Sequence, residues 1–116
     1  MSKVILVVDD EPHIRASVRV ILEDQGYGVK EAANVHQALE LLEEDGITAV
    51  LADIEMPGGV NGLDLARMIR AMWPSLPLVV TSGHTLPRPA ELPPYTPMLT
   101  KPFSAERLID VLRASA

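Results

Sequence analysis

Asp53 is the residue that most directly suggests chemistry, because it follows the apolar run 47–52. A second apolar run, 4–8, ends in the paired carboxylates Asp9 and Asp10. The carboxyl ends of parallel strands lie at one edge of a sheet, where α/β folds place their sites. We therefore expect these acids to lie together, where they can hold a divalent cation and let one carboxylate attack a phosphoryl group.

Two further apolar runs also end in polar residues. Residues 78–80 precede Thr81, and residues 98–100 precede Lys101. Three neighbouring carboxylates repel one another, and that repulsion can be relieved by a lysine ammonium or by Mg²⁺, which prefers oxygen ligands. Each signal also has an ordinary explanation, such as an acidic turn at a helix start or simple turn chemistry. The prediction depends on all four strand ends occurring together.

Composition indicates one small domain with an aliphatic core. The chain has 116 residues, of which 47% are hydrophobic and only four are aromatic. Without cysteine, disulfides and thiolate metal sites are excluded. The net charge of −6 and only three scattered lysines argue against nucleic-acid binding by this segment. No signal peptide or membrane span is evident, so we expect a cytoplasmic protein with no membrane partner.

Strand and helix patterns alternate along the chain. Asn34 is a suitable N-cap for a helix over 35–44, and Ser104 for the last helix. Pro12 suits the first turn of the first helix, and Gly26 its end. Such alternation predicts a parallel sheet with helices on both faces. The predicted strands are 4–8, 27–31, 48–52, 77–80 and 98–100.

The segment 84–97 differs from the rest of the chain because it contains five prolines. Proline inside a helix costs about 3 kcal/mol or more. We therefore expect the fourth helix of the alternating pattern to be short or irregular.

Taken in order, these motifs resemble the receiver domain of two-component response regulators over essentially the whole chain. The resemblance implies one receiver domain over 1–116. It also implies a flavodoxin-like (βα)5 fold, a three-layer sandwich around a five-stranded parallel sheet of order 2-1-3-4-5. The motifs are Val8-Asp9-Asp10-Glu11-Pro12, Asp53-Ile54-Glu55-Met56-Pro57, Thr81-Ser82-Gly83 and Lys101-Pro102-Phe103.

The same resemblance implies a metal site. Asp10 and Asp53 would bind Mg²⁺ (or Mn²⁺) directly, and the main-chain carbonyl of Glu55 would complete the protein ligands. Asp9 would act through a water molecule.

It also implies phosphoryl transfer to Asp53. A sensor histidine kinase or a histidine phosphotransfer protein would donate the group from phosphohistidine, while Thr81 and Lys101 contact the phosphoryl oxygens. Water would later hydrolyse the acyl phosphate. The chain would thus be a self-phosphorylating phosphoacceptor in bacterial phosphorelay signalling, with autophosphatase activity, rather than a conventional enzyme.

Three features depart from the family pattern. The loop 57–62 is one residue longer than usual. Met98 occupies a position where many receivers carry Tyr or Phe, and Tyr95 is out of register with it. The longer loop would alter entry of donor or water, and the proline-rich segment together with Met98 argues against the usual aromatic switch and dimer, whereas the phosphotransfer residues are intact.

Several alternatives stay open from sequence. The simplest expectation is a stand-alone regulator without an effector domain. A receiver from a DNA-binding regulator and the terminal receiver of a hybrid sensor kinase are the alternatives, and the glycine-rich loop and weak fourth helix somewhat favour the hybrid kinase. A phosphatase of the aspartyl-phosphate type is a rival, although Glu55 stands where its Asp-x-Asp signature requires aspartate. A degenerate receiver that binds partners without phosphate is disfavoured by the intact acids. The downstream partner is not indicated.

Overall fold

The computed structural model describes residues 3–44, 46–56, 62–83 and 91–115. Five parallel strands form one sheet in the order β2-β1-β3-β4-β5, which confirms the predicted α/β fold and strand order. The strands are β1 Val4–Val8, β2 Gly28–Ala32, β3 Ala49–Asp53, β4 Leu78–Ser82 and β5 Met98–Thr100. The helices in the described part are α1 Pro12–Asp24, α2 Val35–Glu43, α3 Gly62–Met72 and α4 Ala105–Ser115.

The two faces of the sheet are covered by two separate apolar clusters, which produces three layers. Alternate strand residues point to opposite faces. Thus Leu6 and Val50 pack with α2 and α3, whereas Ile5 and Leu51 pack with α1 and α4. Since both of their faces are buried, the inner strands β1, β3 and β4 are mostly continuous apolar runs, whereas the edge strand β2 carries Lys30 and Glu31.

Local signals fix the ends of the helices as the sequence predicts. The Asn34 side chain accepts a hydrogen bond from the Gln37 N–H at 2.8 Å, and Ser104 accepts one from the Arg107 N–H at 3.1 Å. Gly26 follows the end of α1 with φ of +88°. Glycine suits this place because it adopts the left-handed conformation without steric cost.

Strands β3 and β4 extend further than predicted. The sequence predicts that both strands end before their polar residue, but Asp53 pairs in register with Thr81 inside the sheet. The ladder continues because the Ile54 N–H donates to the Thr81 carbonyl at 3.0 Å. Both side chains are consequently held by regular strand backbone.

The irregular region precedes β5. Within residues 91–97 the structure contains no α-helix, in agreement with the proline argument. The rest of that segment, 84–90, and loop residues 57–61 lie outside the described residues, so the predictions made for them stay predictions. Among the helices described, none combines the length and apolar character needed to cross a membrane.

Candidate functional site

Three carboxylates meet at the carboxyl edge of the sheet. Asp9 and Asp10 follow β1, and Asp53 ends the neighbouring strand β3. One oxygen from each lies within 4.8 Å of the others. Asp9 and Asp53 are each only 3% exposed, whereas Asp10 is half-buried. The strand ends thus bring together the predicted acids, and Asp10 is the one most open to solvent.

Lys101, which lies at the end of the edge strand β5, contacts two of these acids. Its Nζ lies 2.9 Å from Asp9 Oδ2 and 3.1 Å from Asp53 Oδ2. The residue directly follows β5, and its peptide bond to Pro102 is cis. A single ammonium therefore offsets part of the negative charge of both buried carboxylates.

Each polar group of Asp9 has a partner. Its Oδ1 accepts the Glu11 N–H at 2.9 Å, while its own N–H donates to the Ala32 carbonyl at 3.1 Å. Its carbonyl oxygen accepts from the Arg15 guanidinium at 2.5 Å. With Lys101 on Oδ2, the acidic turn is anchored to α1, β2 and β5.

Asp53 is held by its own turn and by Lys101. Its Oδ1 accepts the Glu55 N–H at 2.9 Å, and its Oδ2 faces the lysine. Burial raises the pKa of the Asp53 carboxyl, an effect opposed by the Glu55 hydrogen bond and the Lys101 charge and reinforced by the Asp9 charge. The site therefore holds the carboxylate at an energetic cost, which a cation would relieve.

Lys101 keeps its proton firmly. Burial lowers the pKa of its ammonium, but the hydrogen bond to Asp9 and the charges of Asp53 and Asp9 outweigh that effect. The net pKa lies above the ordinary value. Lys101 is thus a positive charge at neutral pH and stands ready to contact an anionic group at Asp53.

Two further residues connect the ends of β3 and β4. The Glu55 carboxylate accepts hydrogen bonds from the Ser82 hydroxyl, at 3.1 Å, and from the Gly83 N–H. Thr81, only 3% exposed, lies directly beside Asp53 in the sheet. The hydrogen bonds to Glu55 therefore connect the residues after Thr81 to the residues after Asp53.

Gly62, the first residue of α3, packs directly on the backbone of the site. A Cβ atom built there would overlap the carbonyl oxygen of Asp53 and the Cα atom of Ile54. Only glycine permits this approach of a helix start to the end of β3. Gly62 is not among the predicted site residues, although its place in a glycine-rich loop is a usable signal.

An open groove of about 460 Å³ lies beside the acid cluster, between α1 and the segment after β5. Its lining is mostly apolar and includes Ile14, Val18 and Phe103, and Lys101 forms one end. Concave, mostly apolar surfaces with a few polar groups are common binding sites.

The predicted site residues therefore lie together in the structure. Asp9, Asp53 and Lys101 are in contact, and Thr81 is the strand neighbour of Asp53. Sequence reasoning missed Arg15, whose contact with Asp9 joins residues of α1 and the turn before it. The individual roles given to Thr81, Lys101 and the Glu55 carbonyl stay predictions.

A five-stranded parallel sheet of order 2-1-3-4-5 with three acids and a lysine at its carboxyl edge defines a small α/β domain of the receiver type. The family model described as the response regulator receiver domain matches residues 5–113. The chain belongs to the response regulator receiver domain family, which confirms the resemblance drawn from sequence.

Individual relatives agree with this assignment. A putative NtrX-like response regulator from Rickettsia bellii is 35% identical over 94% of this chain. The receiver domain of NtrX from Brucella abortus is 35% identical, covers 96% of both chains and superposes with a TM-score of 0.84. The chemotaxis protein CheY4 of Vibrio cholerae is 27% identical over the whole of both chains, with a TM-score of 0.88. The chain spans about a quarter (24%) of the Rickettsia relative.

Proposed function

We propose that this chain accepts a phosphoryl group on Asp53 from the phosphohistidine of a sensor histidine kinase or a histidine phosphotransfer protein. The observation that carries the proposal is a buried carboxylate at the end of β3, 3.1 Å from the Lys101 ammonium and beside two other acids. A carboxylate can act as the nucleophile that takes up a phosphoryl group, giving an aspartyl phosphate.

The donor set fits Mg²⁺ or Mn²⁺. All three side chains offer carboxylate oxygens, which hard divalent cations prefer, within 4.8 Å of one another. Asp10, Asp53 and the main-chain carbonyl of Glu55 would hold the ion, and Asp9 would act through a water. When bound, such an ion would neutralise part of the negative charge on the transferring phosphoryl group.

The transfer forms a bond between an Asp53 oxygen and phosphorus and breaks the phosphorus–nitrogen bond of the donor. The electron pair of that bond returns to the donor imidazole. Lys101, already against Asp53 Oδ2, keeps its positive charge beside the incoming oxygens. The Thr81 hydroxyl, one strand away, donates to the same oxygens. Positioning and electrostatics supply most of the catalysis, as in other phosphoryl transfers.

One phosphoryl group per chain is expected, followed by hydrolysis of the acyl phosphate, rather than repeated turnover of a free substrate. The rival phosphatase would need a second acid positioned to act on a leaving group. Glu55, the residue at that place, accepts hydrogen bonds from Ser82 and Gly83 instead. This engagement supports a phosphoacceptor rather than a conventional enzyme.

The partners follow from family and surface. Receiver domains of response regulators interact with histidine kinases, and the groove beside Lys101 supports docking of a donor there. The cytoplasmic location, the lack of direct nucleic-acid contact and the downstream partner stay predictions. The relatives' greater length leaves the further domains of the whole protein open.

Intact mass after incubation with Mg²⁺ and acetyl phosphate tests the proposal. We expect one phosphate adduct per chain, no adduct with a chelator, and none in Asp53→Asn. The matched control is Asp64→Asn, which removes a partly exposed acid of α3 and should keep the adduct. Absence of an adduct in the unaltered chain, or rapid repeated turnover of an aryl phosphate, would contradict the proposal.

A further inference from the structure

Arg15 links three elements around the acidic turn. It lies on α1, its Nε lies 3.1 Å from a carboxylate oxygen of Glu31 on β2, and its Nη1 donates to the carbonyl of Asp9 at the end of β1. The side chain is only 16% exposed. The sequence alone suggests an ordinary charged residue on a helix surface.

The carbonyl that Arg15 holds is part of the peptide group between Asp9 and Asp10. A peptide group is planar, so fixing its oxygen restricts both the ψ angle of Asp9 and the φ angle of Asp10. Among the described residues, the Asp10 side chain has no hydrogen-bond or ion-pair partner. The backbone therefore fixes where the Asp10 side chain starts, and only the rotamers that this backbone allows then direct its carboxylate.

We propose that Arg15, oriented by Glu31, is a positioning residue that presets the Asp9–Asp10 turn for the divalent cation. This inference rests on the proposed function, since it concerns the metal site of that function. Groups that orient metal ligands without touching the metal commonly alter its affinity by about 10-fold to 100-fold.

Arg19 provides a matched control within the same helix. Its Nε lies 2.7 Å from the other oxygen of Glu31, and its side chain is 35% exposed. Its contacts in the described structure are with Glu31 and Glu23, not with the acidic turn. Removing Arg19 therefore costs a positive charge, an ion pair to Glu31 like that of Arg15 and a further ion pair to Glu23, but leaves the hydrogen bond to the Asp9 carbonyl intact.

The sign of the effect separates positioning from charge. By charge alone, removing an arginine near an acidic site should tighten the binding of a cation. Loss of positioning should weaken it. The two explanations therefore predict opposite changes in Mg²⁺ affinity for Arg15→Gln.

Calorimetric titration with Mg²⁺ alone tests the inference on the full chain. We expect Arg15→Gln to bind Mg²⁺ roughly tenfold more weakly, and Arg19→Gln to stay within about twofold of the unaltered chain. Arg15→Lys keeps the charge but loses the planar fork that reaches both partners. Arg15→Lys should also bind Mg²⁺ more weakly than the unaltered chain, but by a smaller factor than Arg15→Gln. It replaces Arg15→Gln as the test if that variant does not fold.

Several outcomes would overturn the inference. These are unchanged or tighter binding by Arg15→Gln, wild-type affinity in Arg15→Lys, and equal weakening by Arg19→Gln. Melting in chelator reports any general loss of stability, which should be similar for the Arg15 and Arg19 variants. Failure of the unaltered chain to bind Mg²⁺ or accept phosphate would overturn the proposed function itself. A failure of the inference alone would leave the unaltered chain active and change only the result for the variants.

Discussion

The acidic edge and the segment 91–97 before β5 are both placed by non-local contacts, but in different ways. At the acidic edge, Asp9 is tied to α1, β2 and β5 at once. In the segment, Tyr95 is 93% exposed with φ of +57°, and its carbonyl is held by Arg70 of α3. The comparison indicates that the site is fixed redundantly, whereas Tyr95 and Thr96 of the segment are hydrogen-bonded to α3 by one side chain, Arg70.

The acidic edge should be most sensitive to a change in its backbone packing. Gly62→Ala places a Cβ against the Asp53 carbonyl, and we expect a loss of about 3 kcal/mol or more in unfolding free energy. Urea unfolding followed by circular dichroism measures the loss.

Gly83→Ala is the matched control for this prediction. Its new Cβ would lie 3.6 Å from Glu55 Oε1, an ordinary contact, so stability should change by about 0.5 kcal/mol or less. Equal losses in the two variants would show that α3 does not need its close approach to β3.

Arg70→Gln tests whether one side chain holds the segment. Its guanidinium donates to the Leu76 carbonyl at 2.9 Å and to the Tyr95 carbonyl and Thr96 hydroxyl at 3.2 Å each. Losing these charged hydrogen bonds should cost about 2 kcal/mol. Amide hydrogen exchange should also become faster at Thr96 and its neighbours.

Arg67→Gln is the corresponding control on α3. Arg67 reaches the Glu91 carbonyl at 3.2 Å and pairs with Asp64, both at exposed positions. We expect a cost of about 0.5 kcal/mol. If both variants behave alike, the segment is held by many weak contacts and the contrast with the acidic edge disappears.

The smallest expected effect concerns the ion pairs of Glu31 with Arg15 and Arg19, which lie next to the acidic edge. Hydrogen bonds from Arg19 and Arg15 hold the pKa of Glu31 below its ordinary value of 4.5, although burial opposes this. The stabilisation from this carboxylate is therefore complete above the unfolded pKa and is lost as pH falls through the lower folded pKa. We expect Glu31→Gln to cost about 1 kcal/mol at pH 7, and the cost to shrink near pH 3.

Glu44→Gln is the control for this pH dependence. Its carboxylate lies 3.4 Å from Lys30 and its side chain is 64% exposed, so water screens the pair. The change at pH 7 should be about 0.3 kcal/mol or less. A cost for Glu31→Gln that does not vary with pH would show that its ion pairs do not stabilise the fold.

Much of the fold and site could be predicted because the signals are local. The inner strands β1, β3 and β4 are mostly apolar runs, and Asp9, Asp53, Thr81 and Lys101 follow or end apolar runs. Parallel pairing then brings them to one edge without further information. The strand ends were misplaced slightly because the ladder between β3 and β4 continues through the polar residues.

The remaining contacts could not be predicted because they join residues distant in sequence. Nothing local distinguishes Arg15, which reaches the Asp9 carbonyl, from Arg19, which does not. Likewise, the sequence around Arg70 is that of an ordinary polar helix residue, and its contact with the segment 91–97 is evident only in the folded structure. Such contacts depend on the final packing of elements rather than on periodicity.

The central claim is that Asp53 is the phosphorylated residue, and chemical mapping tests it most directly. Borohydride reduces an aspartyl phosphate to homoserine, which peptide mass spectrometry can locate after treatment with Mg²⁺ and acetyl phosphate. We predict homoserine at position 53 and unaltered aspartate at positions 9 and 10. Conversion at Asp9 or Asp10 instead, or phosphate that resists borohydride on another residue, would contradict the account.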